Sequence, residues 1–372
     1  MSDPTPAAIL TVDLAALAAN YRRLQRYVAP AECGAVVKAD AYGLGAAEVA
    51  PALARAGALS FFVAQLAEGV ALRRLVPKTA SIYVLNGLMD GERQVFEQER
   101  LAPSLNDLGQ IERWSQFCRA RGQRLPAVLH IDTGMNRLGL PVSELQQLAR
   151  EPHRLAGIGL ELVMSHLACA DEPDHPMNRR QLDAFRAART LVPGVRASFA
   201  ASSGIFLGRE FHFDLARPGV ALYGANPLPG QPNPMAQVVG LKARILQVRD
   251  VDRGETVGYG AAHRFTRPRR IATVGVGYAD GFLRSSSNRG CAELGGVPAP
   301  IVGRVSMDLI TLDVSDAPAA LQRPGELVDL IGPGRTVDDV AADAGTIAYE
   351  ILTSLGPRYA RRYVGVPGSD AH

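Results

Sequence analysis

Ala35-Val36-Val37-Lys38-Ala39-Asp40-Ala41-Tyr42-Gly43-Leu44-Gly45 runs from a β-branched stretch through a tight glycine-bearing loop into a helical pattern, Ala46–Ala56. The same order recurs on both sides of it. Thr11-Val12-Asp13 leads into a helical pattern over Leu14–Val28. Phe61-Phe62-Val63-Ala64 precedes a second over Leu66–Leu75, and Ile82-Tyr83-Val84-Leu85 follows. Ala127-Val128-Leu129-His130-Ile131 and Leu160-Glu161-Leu162-Val163-Met164 repeat the strand signal, with helical patterns over Asp107–Arg121 and Arg180–Leu191. Short apolar runs alternating with helices imply parallel strands joined by crossovers. Sustained this far, the alternation predicts a (β/α)8 TIM-like barrel, with a doubly wound sheet as the alternative.

The pattern stops at Asn226-Pro227-Leu228-Pro229-Gly230-Gln231-Pro232-Asn233-Pro234, where four prolines in nine residues continue neither a helix nor a central strand. A boundary there divides the chain into 1–230 and 231–372. Beyond it, Leu241–Val251, Arg270–Val276, Ala299–Val305 and Leu309–Val314 are strand-like and separated by glycine turns. Val337–Leu355 reads as helical. The second unit is therefore expected to be mostly β.

A chain of 372 residues with 47% hydrophobic and 21% charged residues has the make-up of a globular protein with a large core. Its net charge of +3 gives no reason to expect nucleic acid or an anionic membrane as partner. Cys33, Cys118, Cys169 and Cys291 lie far apart, which argues against a zinc site or a disulfide framework and fits a reducing cytoplasm. The opening MSDPTPAAILTVDL lacks a basic head, so no secretory leader is expected. No apolar stretch is long enough to span a bilayer.

In a (β/α)8 barrel, function collects at the C-terminal ends of the strands. Lys38 closes an apolar run, and desolvation there lowers the pKa of an amine and makes it a Schiff-base nucleophile. A lysine snorkelling out of a strand end is the other reading of that string. Tyr42 and the Gly43-Leu44-Gly45 loop have the donors to reach an anion. Asp132 and Arg137 follow the 127–131 run, His166 follows Met164, Ser202 and Ser203 follow Ala197–Ala201, and Arg217 precedes Pro218-Gly219. Taken singly, these read equally as a surface turn, a core histidine and a loop corner. Gly258-Tyr259-Gly260 offers close backbone approach, as many turns do. No dinucleotide fingerprint, P-loop or HExxH string is present.

Together the strings are specific. Val37-Lys38-Ala39-Asp40-Ala41-Tyr42-Gly43-Leu44-Gly45 closely resembles the pyridoxal 5′-phosphate (PLP) lysine signature of the alanine racemases, fold type III enzymes. His130-Ile131-Asp132-Thr133-Gly134-Met135-Asn136-Arg137-Leu138-Gly139, Ser165-His166, Ala216-Arg217-Pro218-Gly219, Val257-Gly258-Tyr259-Gly260, Gly277-Tyr278-Ala279-Asp280-Gly281, Gly303-Arg304-Val305-Ser306-Met307-Asp308 and Tyr349 follow in the family's order. The resemblance covers nearly the whole chain.

That resemblance implies an enzyme that interconverts L- and D-alanine, for peptidoglycan synthesis or alanine catabolism. By family analogy, Lys38 holds PLP, and Tyr42, Ser203, Tyr349 and the backbone of Gly219 and Val220 meet its phosphate. Arg217 faces the pyridine nitrogen, with His166 beside it. Since a guanidinium donates without releasing its proton, the ring stays a weak electron sink. Lys38 and Tyr259 serve as bases on opposite faces of the substrate. A phenol titrates near ~10 unperturbed, so the second base needs positive charge nearby. Arg137 and the Met307 backbone N–H meet the substrate carboxylate. Asp171, Arg284, Arg304 and Ile347 match an access corridor. The resemblance also implies a homodimer in which Tyr259 and Met307 reach the partner's site.

Three positions depart from many relatives: Leu44, Ser202 and His130. The first two are not expected to do chemistry. Some relatives carry a carbamylated lysine at the position of His130, orienting the arginine that matches Arg137. Histidine forms no such stable carbamate, so an anion, a water or His130 itself is expected to hold Arg137. The rival readings are a broad-specificity amino-acid racemase, a barrel-type decarboxylase, which Arg217 argues against, and a non-catalytic PLP-holding protein, which the second unit argues against.

Overall fold

The computed structural model describes residues 5–365, so Met1–Pro4, the head of the stretch read for a leader, lie outside it. Strand β1, Ala8–Asp13, is followed by the helix Leu14–Val28. The Asp13 carboxylate accepts from the Ala15 and Ala16 amides at 2.9 Å each, which caps that helix. Leu17, Tyr21, Leu24 and Val28 line its buried face at helical spacing.

The barrel strands come next: β2 (Glu32–Cys33), β3 (Ala35–Val36), β4 (Ser60–Val63), β5 (Ser81–Val84), β6 (Ala102–Leu105), β7 (Leu125–His130), β8 (Ile158–Met164), β9 (Arg196–Ser198) and β10 (Leu215–Ala216). From β3 to β9 each pairs in parallel with the next. The ring closes through β10, which pairs in parallel with β2 and receives hydrogen bonds from the Gly34 amide on one side. On the other side, the Arg217 amide donates to Ala200 O at 2.8 Å and the Asp214 amide to Ala197 O at 2.9 Å. β2 and β3 are one strand interrupted at Gly34, where a Cβ would lie 3.0 Å from the Phe62 ring. The eight-stranded barrel replaces the doubly wound alternative. Two of its strands escaped the sequence reading. β6 contains Pro103, a residue that argues against an interior strand, and β10 is only two residues long.

The second sheet is built on a long strand, β11 (Val239–Val251). A small hairpin follows, β12 (Thr256–Val257) with β13 (His263–Arg264), then β14 (Arg269–Val274), β15 (Cys291–Leu294), β16 (Val297–Pro300), β17 (Ile310–Asp313), β18 (Leu327–Ile331) and β19 (Ala360–Val364). β11 pairs antiparallel with β1, β14 and β18. β1 thus belongs to this sheet, between β11 and β19, and not to the barrel that the opening residues were read as leading into. The expected helix Val337–Leu355 is two helices, Val337–Ala344 and Ala348–Ser354. Gly345, at φ 69°, ends the first in a left-handed cap. In the Ala299–Val305 run β16 ends at Pro300, Ile301 bridges to Leu312 of β17, and Gly303 turns at φ 82°.

The C-terminal segment braces the loop after β3. The Arg361 guanidinium donates to Gly43 O at 2.8 Å, and the Tyr363 hydroxyl to Leu44 O at 3.0 Å. Gly43 has φ 80°, and a Cβ there would run into the Leu352 carbonyl. Gly43→Ala therefore meets both a left-handed backbone and a steric block. It is expected to lower the melting temperature by a few degrees in a thermal scan; an unchanged transition would contradict this reading of the brace.

Candidate active site

The Lys38 loop is built from strained backbone. Ala39, Asp40, Ala41 and Tyr42 all have φ between 53° and 57°, a left-handed turn made of four residues that are not glycine. Such conformations cost roughly 1–2 kcal/mol per residue and persist only when surroundings fix them. Here the Ala46 amide donates to Asp40 Oδ1 at 2.7 Å, the Gly45 amide to Asp40 O at 2.9 Å, and the Ala39 amide to Glu68 Oε1 at 2.6 Å. The turn carries Lys38 and Tyr42 together at the barrel's C-terminal end. The Tyr42 ring lies 4.7 Å from that of Tyr223 and 5.9 Å from that of Tyr349. Its hydroxyl occupies the space a Cβ on Gly219 would need.

Opposite charges are scarce in this layer. Burial pushes the Lys38 amine below its ordinary pKa; Arg137 pushes it further down and Glu68 opposes that. Arg217 is buried, and desolvation takes it down to about 10, which leaves it a cation at neutral pH. Its guanidinium donates to Ser165 O at 2.7 Å, Ser198 Oγ at 2.5 Å and Phe199 O at 3.3 Å. The same Nη2 lies 3.5 Å from His166 Nδ1. The guanidinium has only donors, so His166 Nδ1 is the acceptor and any proton on that neutral ring sits on Nε2. Desolvation first, then Arg217, Arg137, His130 and Lys38, take His166 down to about 3.

Among the described residues no hydrogen bond joins Arg137 to His130. Its Nδ1 pairs with Asn106 Oδ1 at 2.8 Å, and burial with the charges of Arg217 and Arg137 takes it down to about 4. A neutral imidazole tied to an amide supplies no counter-charge. Asn106 takes up His130 Nδ1 and leaves Nε2 as its remaining acceptor. Asp132 is spent on its turn, accepting from the Gly134, Met135 and Asn136 amides.

The structure places Lys38, Tyr42, Arg137, His166, Ser203, Arg217, Gly219 and Val220 on the loops at one end of the barrel, and Tyr349 joins them from the C-terminal helix Ala348–Ser354. Ser202, given no role from sequence, accepts from the Gly219 amide at 2.9 Å and the Ala221 amide at 3.3 Å. It thereby shapes the turn beginning at Val220. Glu68, Ser198 and Asn106 were also missed, since a capping glutamate, a strand serine and a loop asparagine carry no local signature.

Tyr259 and Met307 stand elsewhere. Tyr259 sits on the tip of the β12–β13 hairpin and is 72% exposed; Met307 is 54% exposed. A cavity of about 610 Å³ borders Tyr259, lined also by Val257, Gly258, Arg304, Ser306 and Leu309, with no residue of the barrel. A Cβ on Gly260 would lie 3.2 Å from the Arg304 guanidinium, so that arginine backs the tyrosine's turn. Met307 O accepts from the Ala279 amide at 3.0 Å, which orders its backbone.

The residues present fit PLP. A desolvated amine and a fixed buried guanidinium converge there, with the phenol of Tyr42, held protonated by burial, brought close by the missing Cβ of Gly219. Neutral O–H and N–H donors suit a phosphate dianion. Fold and site thus define a barrel protein with a desolvated lysine at the strand ends. Its residues 12–227 match the family model "Alanine racemase, N-terminal domain", and residues 238–363 match "Alanine racemase, C-terminal domain". A Rhodospirillum rubrum protein named alanine racemase is 54% identical over 360 residues, covering 96% of each chain. A catabolic alanine racemase of Mesorhizobium japonicum is 50% identical over 365 residues, covering 98% of this chain and 95% of its own. The crystal structure of alanine racemase from Bartonella henselae, with covalently bound pyridoxal phosphate, superposes with a TM-score of 0.93 at 43% identity, covering 97% of this chain and all of that one. The chain belongs to the alanine racemase family.

The depressed histidines give the stability a pH signature. In the unfolded chain they protonate below ~6.5, whereas the folded His130 resists down to about 4. Stability present at pH 7 is therefore lost as pH falls through that window. His130→Gln is expected to remove about 2 kcal/mol of the loss between pH 7 and 5, read by chemical denaturation at each pH. An equal loss in both proteins would contradict a neutral His130.

Proposed function

We propose that this chain interconverts L-alanine and D-alanine with PLP held by Lys38. The observation that carries the proposal is the desolvated Lys38 amine sharing a barrel mouth with Arg217, a buried cation held in place by Ser198 and Ser165. When bound, PLP draws electrons from the substrate Cα and makes its proton acidic. Tyr42, Ser203, Tyr349 and the Val220 amide would hold its phosphate, whereas the Gly219 amide expected to join them is given to Ser202 Oγ at 2.9 Å. Arg217 donates toward the ring nitrogen and keeps its own proton, and His166 holds Arg217 in place. A decarboxylase is disfavoured because the residue at this position is a guanidinium rather than a carboxylate.

Inversion at Cα needs one proton removed from one face and one delivered to the other. Lys38 accepts the proton on its face, and Tyr259 of the partner subunit gives one to the opposite face; the reverse direction exchanges their roles. Arg137 and the Met307 N–H of the partner subunit hold the substrate carboxylate. The exposure of Met307, and of Tyr259 on a cavity without barrel residues, supports their use by a second copy, in a homodimer with shared sites. In this reading residues 1–230 hold the cofactor, and residues 231–372 reach the neighbouring subunit. Asp171, Arg284, Arg304 and Ile347 line the approach. The product D-alanine serves peptidoglycan synthesis, or the reaction feeds alanine catabolism, in the cytoplasm.

Incubation with L-alanine is expected to yield D-alanine without release of CO2, and borohydride is expected to bleach a visible band and stop the reaction. Tyr259→Phe is expected to lower kcat by about 10²–10⁴-fold in both directions. Rapid conversion of larger amino acids would select the broad-specificity reading. Undiminished interconversion by Tyr259→Phe would overturn the two-base assignment.

A further inference from the structure

Glu68 lies in the first turn of the helix Leu66–Arg73 that follows β4, yet only one of its carboxylate oxygens serves that helix. Oε2 accepts from the Ala64 amide at 2.7 Å and the Gln65 amide at 2.9 Å, where the chain leaves the strand. Oε1 reaches across to the next barrel loop and accepts the Ala39 amide at 2.6 Å. That amide belongs to the peptide joining Lys38 to Ala39, the first step of the left-handed turn. The other ties on the turn act later. Ala46 and Gly45 hold Asp40, Arg361 holds Gly43, and Tyr363 holds Leu44. Inside the turn the Ala41 amide donates to Val37 O at 3.0 Å, and Glu68 is the one side chain among the described residues that bonds a peptide of Lys38.

We infer that Glu68 is a positioning residue for Lys38: its carboxylate bridges the ends of β4 and β3, aims the amine, and places one negative charge beside it. The inference rests on the reading of Lys38 as the PLP lysine. A glutamate serving only as a helix cap would satisfy its own first turn and leave the neighbouring loop alone. The charge matters because the groups around Lys38 are otherwise unhelpful to a protonated amine. Arg137, after β7, is a cation, and His166, after β8, is a neutral imidazole within range of Lys38. Glu68 alone raises the lysine pKa against burial and Arg137. A lysine that must accept and return a proton needs a pKa near neutrality, and too deep a depression would cost it the protonated form.

Two variants separate aim from charge. Glu68→Gln keeps the length and loses the charge; Glu68→Asp keeps the charge and loses the reach. Full-length protein freed of cofactor is mixed with PLP across a range of pH, and capture is followed by the visible band and trapped with borohydride. With Glu68→Gln the acidic limb of the capture profile is expected to move to lower pH. With Glu68→Asp the limb is expected to stay, and the plateau rate to fall about tenfold through misalignment. Melting temperatures are taken in parallel. If both variants capture PLP with the wild-type limb and plateau, whatever their melting temperatures, Glu68 is only a cap and the inference is overturned. If the wild-type protein itself captures no PLP, the Lys38 reading fails first.

Discussion

Three cations, Lys38, Arg137 and Arg217, are gathered at a barrel mouth that buries Arg217 fully and Lys38 in part, with Arg137 exposed at its rim. Unpaired charges in such a place are costly, and the structure around them answers that cost in different ways. Arg217 is satisfied by neutral acceptors, the carbonyls of Ser165 and Phe199 and the hydroxyl of Ser198. His130 and His166 answer by staying neutral. Lys38 answers by a lowered pKa, moderated by Glu68. What results is a positive pocket whose nearest carboxylates are already committed to backbone amides, a site shaped for an anionic ligand and an anionic substrate.

The strained turn after β3 depends on the same economy. A lysine leaving an apolar strand would ordinarily stretch toward solvent. The left-handed run 39–42 instead folds Tyr42 back over Gly219 and leaves Lys38 at the strand end. That geometry is held from two sides, by Glu68 within the barrel and by Arg361 and Tyr363 from the last strand of the second unit. The position of the reactive amine is therefore a property of the whole chain.

Much of this was legible in the residues. Ala46–Ala56 and Leu14–Val28 form helices with the bounds their patterns suggest, because apolar spacing and end signals agree there. The barrel strands at 60–63, 81–84, 125–130 and 158–164 follow from continuous apolar runs. What hid were features fixed by tertiary pairing. β1 looks like any barrel strand locally, yet pairs with β11 and β19. β10 is too short to carry a pattern, and β6 is disguised by Pro103. In the site, Lys38, Arg217 and Tyr259 were visible through their flanking strings. Glu68, Ser202 and Asn106 were not, since each acts on a neighbour distant in sequence. The left-handed turn was illegible because Ala39, Asp40 and Ala41 give no local reason for positive φ.

The central claim is that one catalytic centre is assembled from two copies of the chain, with Lys38 from one and Tyr259 from the other. Hybrid formation between Lys38→Ala and Tyr259→Phe subunits tests it directly. Each variant alone lacks a group at every site, whereas a mixed dimer would hold one site with both groups intact. Random reassociation of the two inactive proteins is expected to restore up to about a quarter of the wild-type racemase rate. No recovery, with mixed dimers demonstrably formed, would place both groups on one chain and contradict the account.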